Sequence, residues 1–339
     1  MARNDGAGSS PASDAAAPQK PAFDWLSWLA RYGTLASLVL LLVIFTIGRP
    51  SVFPTVGNFL NILNQVSILG IIALGLTVCL VMGLFDLSIA AMATLGGWLA
   101  TVLVFRGGPQ IDPYLAVPLV LLAATLIGVL NGTLVSYLGI SAFIETLAMG
   151  SVITGVVLGL SKSRTILSGI PKEFLAIGQD YTLGIPNPVI AMLVVLLLLW
   201  VFLEHTQVGR NLYAIGGNQE AARLSGIAVK RYALIAMGIS AACAALGGLV
   251  AAANLGAGRP QGVGETYLLN AFAAVFIGAS TLRPGRFHII GTFVGVLLIG
   301  VINNGLSIMG VPTYWQYIVQ GLLLILALFS ASVLILRRR

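Results

Sequence analysis

The chain has 339 residues, 58% of them hydrophobic and only 9% charged, with a formal net charge of +7. A soluble domain carries about 25% charged residues, so composition excludes a chain that mostly faces water. The basic excess suits loops at the cytoplasmic ends of membrane spans, and no basic run is interleaved with aromatics, so nucleic acid is not an expected partner.

Residues 1–24, rich in Ala, Ser, Pro, Asp and Gly, predict a disordered cytoplasmic tail. Ala15–Ala17 precede the first apolar core, the reverse of the order in a secretory signal. Ten apolar segments follow, at about 29–48, 66–83, 86–105, 114–138, 141–160, 188–203, 232–254, 266–282, 287–309 and 313–336. Residues 188–203 and 266–282 are short for a crossing, and short, interrupted segments can be broken or re-entrant helices, which leaves eight to ten spans. Residues 25–339 therefore predict an all-α, polytopic transmembrane domain with a loop at 204–231. The 40 glycines predict close approach between its helices. Pro171, Pro186 and Pro188 oppose a long helix in 161–187, which is expected to form a structured external cap.

Ten spans with the N-terminus inside put 12 basic residues on the cytoplasmic side and 6 outside. That bias has the sign the positive-inside rule requires, and it places both termini and the 204–231 loop in the cytoplasm.

Chemistry-bearing residues are sparse. Cys79 and Cys243 lie inside apolar segments without metal or redox spacing, and His205 and His288 have no metal-type neighbours. Gly159–Ser163 lacks the Gly-Lys pair of a phosphate loop, and Gly256–Gln261 fails the dinucleotide fingerprint at its last glycine. The chain is expected to bind no cofactor itself; a nucleotide that drove it would be bound and hydrolysed on a partner subunit.

Asp86 stands between two apolar segments with no basic residue within fifteen positions. A carboxylate at membrane depth costs on the order of 2.5–3.5 kcal/mol, so it must face water or an interior partner. Two roles fit: N-cap of the following helix with help from Ser88, or a place on a solute path. Glu145 has the same two readings, a first-turn residue favoured by the helix dipole or a contact for solute hydroxyls. The amides Asn131, Asn254, Asn270, Asn303 and Asn304 supply neutral donors and acceptors to a hydroxyl-rich solute, or join helices by hydrogen bonds.

Residues 216–226, Gly-Gly-Asn-Gln-Glu-Ala-Ala-Arg-Leu-Ser-Gly, form a polar island between apolar segments. Asn218 predicts an N-cap, Glu220 a first-turn acid, and Gly226 a stop. Ala221, Leu224 and Ala228 fall on one face at helical spacing, although the stop at Gly226 comes before Ala228; Ala222, Arg223 and Ser225 complete the segment. This pattern resembles the cytoplasmic coupling loop of ABC importer permeases, in the version carried by the monosaccharide branch. Gly83–Ser88 resembles that family's Gly-x-x-Asp-Leu-Ser segment, with Leu84 where a second glycine is usual. Gly262–Ala271, Thr281–Arg286 and Val311–Gln316 also look like family segments; Leu268 replaces a usually acidic position and Glu145 a usually apolar one. The matches run from about 57 to 330.

The resemblance implies a permease importing a monosaccharide, with a second permease chain, a cytoplasmic ABC ATPase that hydrolyses the ATP and an extracytoplasmic sugar-binding protein. Residues 218–226 would dock on the ATPase, and the protein would reside in the inner membrane. Permeases for branched-chain amino acids or nucleosides are the nearer alternative. An ion-coupled secondary transporter using Asp86 and Glu145 as a relay is the further one.

Overall fold

The computed structural model describes residues 25–283, 285–322 and 325. The predicted tail at 1–24 and the Arg337–Arg339 end lie outside the described residues.

The first half of the bundle is α1 (Trp25–Gly48), α2 (Val56–Val81), α3 (Ile89–Val104), α4 (Pro113–Tyr137) and α5 (Ala142–Ser161). The next connection holds α6 (Lys172–Gln179) and a two-rung antiparallel hairpin, β1 (Tyr181–Thr182) with β2 (Ile185–Pro186). Then come α7 (Asn187–His205), the polar α8 (Gln207–Gly217) and α9 (Gln219–Leu224), and the long α10 (Val229–Leu255), α11 (Glu265–Ala279) and α12 (Ile289–Ile308). Residues 313–322 are helical; the remainder of the expected last span falls outside the described residues except for 325. Apart from the small hairpin the fold is helical, as the composition requires.

Local chemistry sets the helix starts. Thr55, Asp112, Thr206 and Asn218 each accept a hydrogen bond from a backbone amide of the first turn, and Pro113 occupies the N1 region of α4. At the other end of α10, Gly256 takes the left-handed conformation that stops the helix (φ +63).

Among the described residues six helices, α2, α4, α5, α7, α10 and α12, are long and apolar enough to cross a membrane, and α3, α11 and the Tyr32–Gly48 part of α1 are shorter apolar helices. Residues 188–203, expected to be short, belong to the full-length α7. The 266–282 segment is short, because α11 ends at Ala279. The apolar stretch read from residue 66 begins ten residues earlier, at Val56. Hydropathy misses that start because its amides are absorbed locally: Asn58 Nδ2 donates to the Phe53 carbonyl and Gln65 Nε2 to Asn61 Oδ1.

α10 is the axis of the bundle, packed mainly against α4, α3 and α2. Small residues make this possible. A side chain at Gly248 would run into the Ala93 backbone of α3, and one at Gly128 of α4 would run into the Met237 carbonyl of α10. Between apolar spans lipid tails are as good a solvent as leucine, so this close backbone approach supplies the association energy.

Loops sort onto two ends. At one end Gly216 abuts the Val81 carbonyl, Lys230 lies over the Tyr137 ring and Arg283 pairs with Glu204. At the other, Ile166 bridges Gly258, Arg106 N–H donates to the Gly169 carbonyl, and Gln179 Nε2 donates to the carbonyls of Ala253 and Asn254. The 161–187 connection is thus structured against the far end of α10, with α6 starting directly after Pro171.

Replacing Gly248 with Val is expected to remove more than about 3 kcal/mol of stability, because backbone rather than a movable side chain blocks the new methyls. Gly155 of α5 has open space around it, so Gly155→Ala is expected to be neutral or to stabilise by about 0.5–1 kcal/mol. Fluorescence-detected thermal melts of the two detergent-solubilised variants check both signs.

Candidate functional site

Two polar features stand out from the apolar bundle, one on its surface and one inside. The surface feature is the segment 204–231, which folds as two short helices at a corner. Asn218 closes α8 and caps α9 at once: its backbone N–H donates to the Ala214 carbonyl, and its Oδ1 accepts from Ala221 N–H at 2.9 Å. At the other end of α9, Gly226 is left-handed (φ +82), and Ile227 N–H reaches back to the Ala222 carbonyl. These are the hydrogen bonds of a Schellman stop, so α9 is limited to six residues.

Ala221 and Leu224, three positions apart on α9, are both exposed, Leu224 at 78%, as is Ala228, and Ala222 is the buried contact. Ala228 lies beyond the turn, so helical spacing no longer relates it to Ala221. Glu220 and Arg223 form an exposed ion pair at 2.8 Å, and Asn218, Ser225 and Gly226 are exposed as well. The corner presents an unburied Leu224 with charges beside it.

α8 joins this corner to the bundle. Leu212 and Ile215 are buried, Gly216 touches the end of α2, and Asn211 Nδ2 donates to the Tyr232 hydroxyl at the start of α10. Tyr213 Oη donates to Glu204 Oε1 at 3.0 Å, and Arg283 Nη1 lies 2.9 and 2.8 Å from the two Glu204 oxygens. Burial first, and then the adjacent Glu204 carboxylate, push the Tyr213 phenol above its ordinary range, so it stays a hydrogen-bond donor. Just beyond Arg283, His288 caps α12: its Nδ1 accepts from Gly291 N–H, and its Nε2 lies 2.8 Å from the Thr281 carbonyl. One neutral tautomer satisfies both bonds.

The interior feature is the interruption between α2 and α3. Residues 84–87 are not helical, and their backbone is satisfied by side chains. Leu87 N–H donates to Thr146 Oγ1 of α5 at 3.0 Å, and Ser88 N–H donates to Asp86 Oδ1 at 3.0 Å. Asp86 is buried, and it accepts also from Ser88 Oγ at 2.5 Å and from Ser240 Oγ of α10 at 2.7 Å. Asn131 of α4 donates to Ser88 Oγ at 3.2 Å. Asp86 therefore holds a turn and cross-links it to the bundle axis.

Glu145 lies in the first turn of α5 beside Thr146 and within electrostatic reach of Asp86; it is buried, and neither of its oxygens has a partner among the described residues. Asn131 Oδ1 is likewise buried and unpartnered. These oxygens could accept from donors such as hydroxyl groups.

The other amides lie elsewhere. Asn254 Nδ2 donates to the Gly178 carbonyl and fastens the 161–187 connection. Asn304 Nδ2 donates to Asn58 Oδ1, Asn303 Oδ1 accepts from Gln320, and Asn270 Nδ2 bonds the Thr266 carbonyl of its own helix. The structure brings together Asp86, Asn131 and Glu145 but not these four. Sequence reasoning missed Ser240, Thr146, Glu204 and Tyr213. Ser240 and Thr146 carry no local signal, whereas Glu204, a single acid closing an apolar run, could have been singled out. No group of three or more His, Cys, Asp or Glu able to hold a metal occurs among the described residues.

Long apolar helices packed backbone to backbone, a buried polar break and a polar corner at one end define a polytopic helical membrane protein. The family described as branched-chain amino acid transport system / permease component matches residues 58–328, and the chain belongs to that family. The ribose import permease protein RbsC of Haemophilus influenzae is 34% identical over 91% of this chain and 94% of its own length. The protein of the same name from Bacillus subtilis is 37% identical over 88% and 92%. The D-allose transport system permease protein AlsC of Escherichia coli K12 is 37% identical over 92% and 94%. No solved structure matches the chain.

Replacing Asp86 with Ala leaves the Ser88 amide, the Ser88 hydroxyl and the Ser240 hydroxyl without their acceptor, and at about 1–3 kcal/mol per unsatisfied buried donor is expected to cost about 3 kcal/mol or more. Ser240→Ala removes one donor to a charged group and is expected to cost about 1–3 kcal/mol. Thermal or denaturant unfolding of the purified variants should rank them in that order.

Proposed function

We propose that this chain is the membrane-spanning permease subunit of an ABC importer that carries a monosaccharide into the cytoplasm across the inner membrane. The observation that carries this is the likeness, at 34–37% identity and over nearly the whole chain, to permeases named for ribose and allose import. A relative named for xylose transport, 30% identical, keeps the substrate class among neutral sugars. The family description names branched-chain amino acids, but the relatives cited here are named for sugars.

In this reading the end holding α8 and α9 faces the cytoplasm, as do both termini, and ten crossings complete the transmembrane domain. A cytoplasmic ABC ATPase receives α9 in a groove, with Leu224 as the apolar contact and Glu220 and Arg223 at its rim. Leu224 suits such a contact because a large apolar side chain exposed on a polar corner gains most from being covered. ATP is bound and hydrolysed on that partner.

α8 then transmits movement as a lever, since its contacts run to the ends of α2 and α10 and, through Glu204, to the 281–288 turn. The acceptors of Asp86, Asn131 and Glu145 line the inner end of the solute path and suit a solute rich in hydroxyl donors. A second permease chain completes the pathway, and an extracytoplasmic sugar-binding protein delivers the solute to the end bearing α6.

Leu224→Asp costs the isolated fold little, because the side chain is already in water. It is expected to abolish radiolabelled sugar uptake and ATPase co-purification while membrane insertion stays normal, and deletion of 218–226 is expected to do the same. Normal uptake by either variant would remove the docking role. Ion-driven uptake by the purified chain alone in liposomes would favour a secondary transporter.

A further inference from the structure

We propose that the cavity between the end of α7, α8 and the 281–288 turn binds the phosphate headgroup of an anionic phospholipid. The cavity measures about 220 Å³ and is lined by Leu203, Glu204, Arg210, Tyr213, Arg283 and Arg286. Three guanidinium groups thus face one carboxylate.

Glu204 is already engaged, by Arg283 through both oxygens and by the Tyr213 hydroxyl. The other two arginines have no counter-charge among the described residues. The Arg210 guanidinium donates to the neutral Gln207 side chain, through Nε at 3.2 Å and Nη2 at 2.7 Å. Arg286 is exposed and has no hydrogen bond or ion pair among the described residues. A phosphate diester carries the missing charge, and its oxygens match the paired N–H groups of a guanidinium.

The depth of the cavity selects a lipid as the source of that phosphate. It opens where α7 ends, and residues three, four and seven positions before Glu204 lie along the helix above it. Two of these, Val201 and Leu197, are large apolar side chains exposed at 42% and 56%. A charged cup under an apolar runway has the shape of headgroup and acyl chain together, as basic pockets between transmembrane helices do. A lipid seated there would bridge Arg210 of α8 to Arg286 of the turn before α12. It would thereby stiffen the mounting of α9. The proposal requires that α7 crosses the bilayer, and is independent of which solute is carried.

The test titrates the delipidated full chain with mixed micelles containing phosphatidylglycerol, phosphatidylcholine or no phospholipid but inorganic phosphate, and reads the thermal midpoint. Saturable stabilisation by phosphatidylglycerol alone is expected. Arg286→Gln touches no internal contact and should weaken its apparent affinity about fivefold, and the double variant with Arg210→Gln about 30-fold. Equal stabilisation by phosphatidylcholine, reproduction of the shift by inorganic phosphate, or unchanged affinity in R286Q would overturn the proposal. Loss of ATPase co-purification in R286Q with phosphatidylglycerol affinity intact would overturn it too, since the cup would then serve an acidic protein surface. Sugar uptake is measured separately, so failure of the lipid site leaves the import reading standing, and the reverse.

Discussion

Inside a bilayer every backbone N–H and C=O must find a partner within the protein, and the non-helical break at 84–88 gives its Leu87 and Ser88 amides side-chain partners instead. Asp86 and Thr146 replace the missing helical bonds, one from within the turn and one from α5, while Ser240 secures Asp86 to α10. The close packing of α3 on α10 depends on this turn, because it fixes where α3 begins and so which face carries Ala93 against Gly248. A carboxylate used in this way is costly to bury and costly to lose. The same interruption also creates what a continuous helix would forbid, a set of unpaired acceptors on Glu145 and Asn131 beside the bundle axis.

The polar corner is built on the opposite principle. α9 is stopped at both ends by its own capping groups and buries only Ala222, so its shape is independent of the bundle while its position is not. Position comes from α8, which rests on α2 through Gly216 and on the 281–288 turn through Tyr213 and Glu204. A short rigid element on a well-anchored base can pass a push to several spans at once. In a permease driven by a partner's ATP, that is the mechanical requirement.

Much of the fold was legible because its signals are local and strong. Long uncharged runs locate the spans, Asn218 and Gly226 bracket α9, and three prolines mark a 161–187 connection without a long helix. The errors have equally local causes. Hydropathy begins α2 at residue 66 because the preceding amides look polar until Asn58 is seen bonded to Phe53. The stop at Gly226, legible in the sequence, leaves Ala228 outside α9, but which face of so short a helix is buried was not legible. Of the candidate path residues, Asp86, Asn131 and Glu145 come together, whereas Asn254 and Asn304 join parts of the scaffold. An amide in an apolar helix looks the same in sequence whether it faces a neighbour or a cavity.

The sequence by itself determined that this is a helical membrane protein with a capped polar corner and an acid between two apolar segments, since charge density, span length and capping chemistry need no tertiary knowledge. Tertiary structure alone decided the partners of that acid, the residues around Glu204 and the face α9 presents. Ser240 lies 154 positions from Asp86 and Arg283 lies 79 from Glu204. Contacts at that separation are set by how whole helices pack, and no pattern along the chain encodes them.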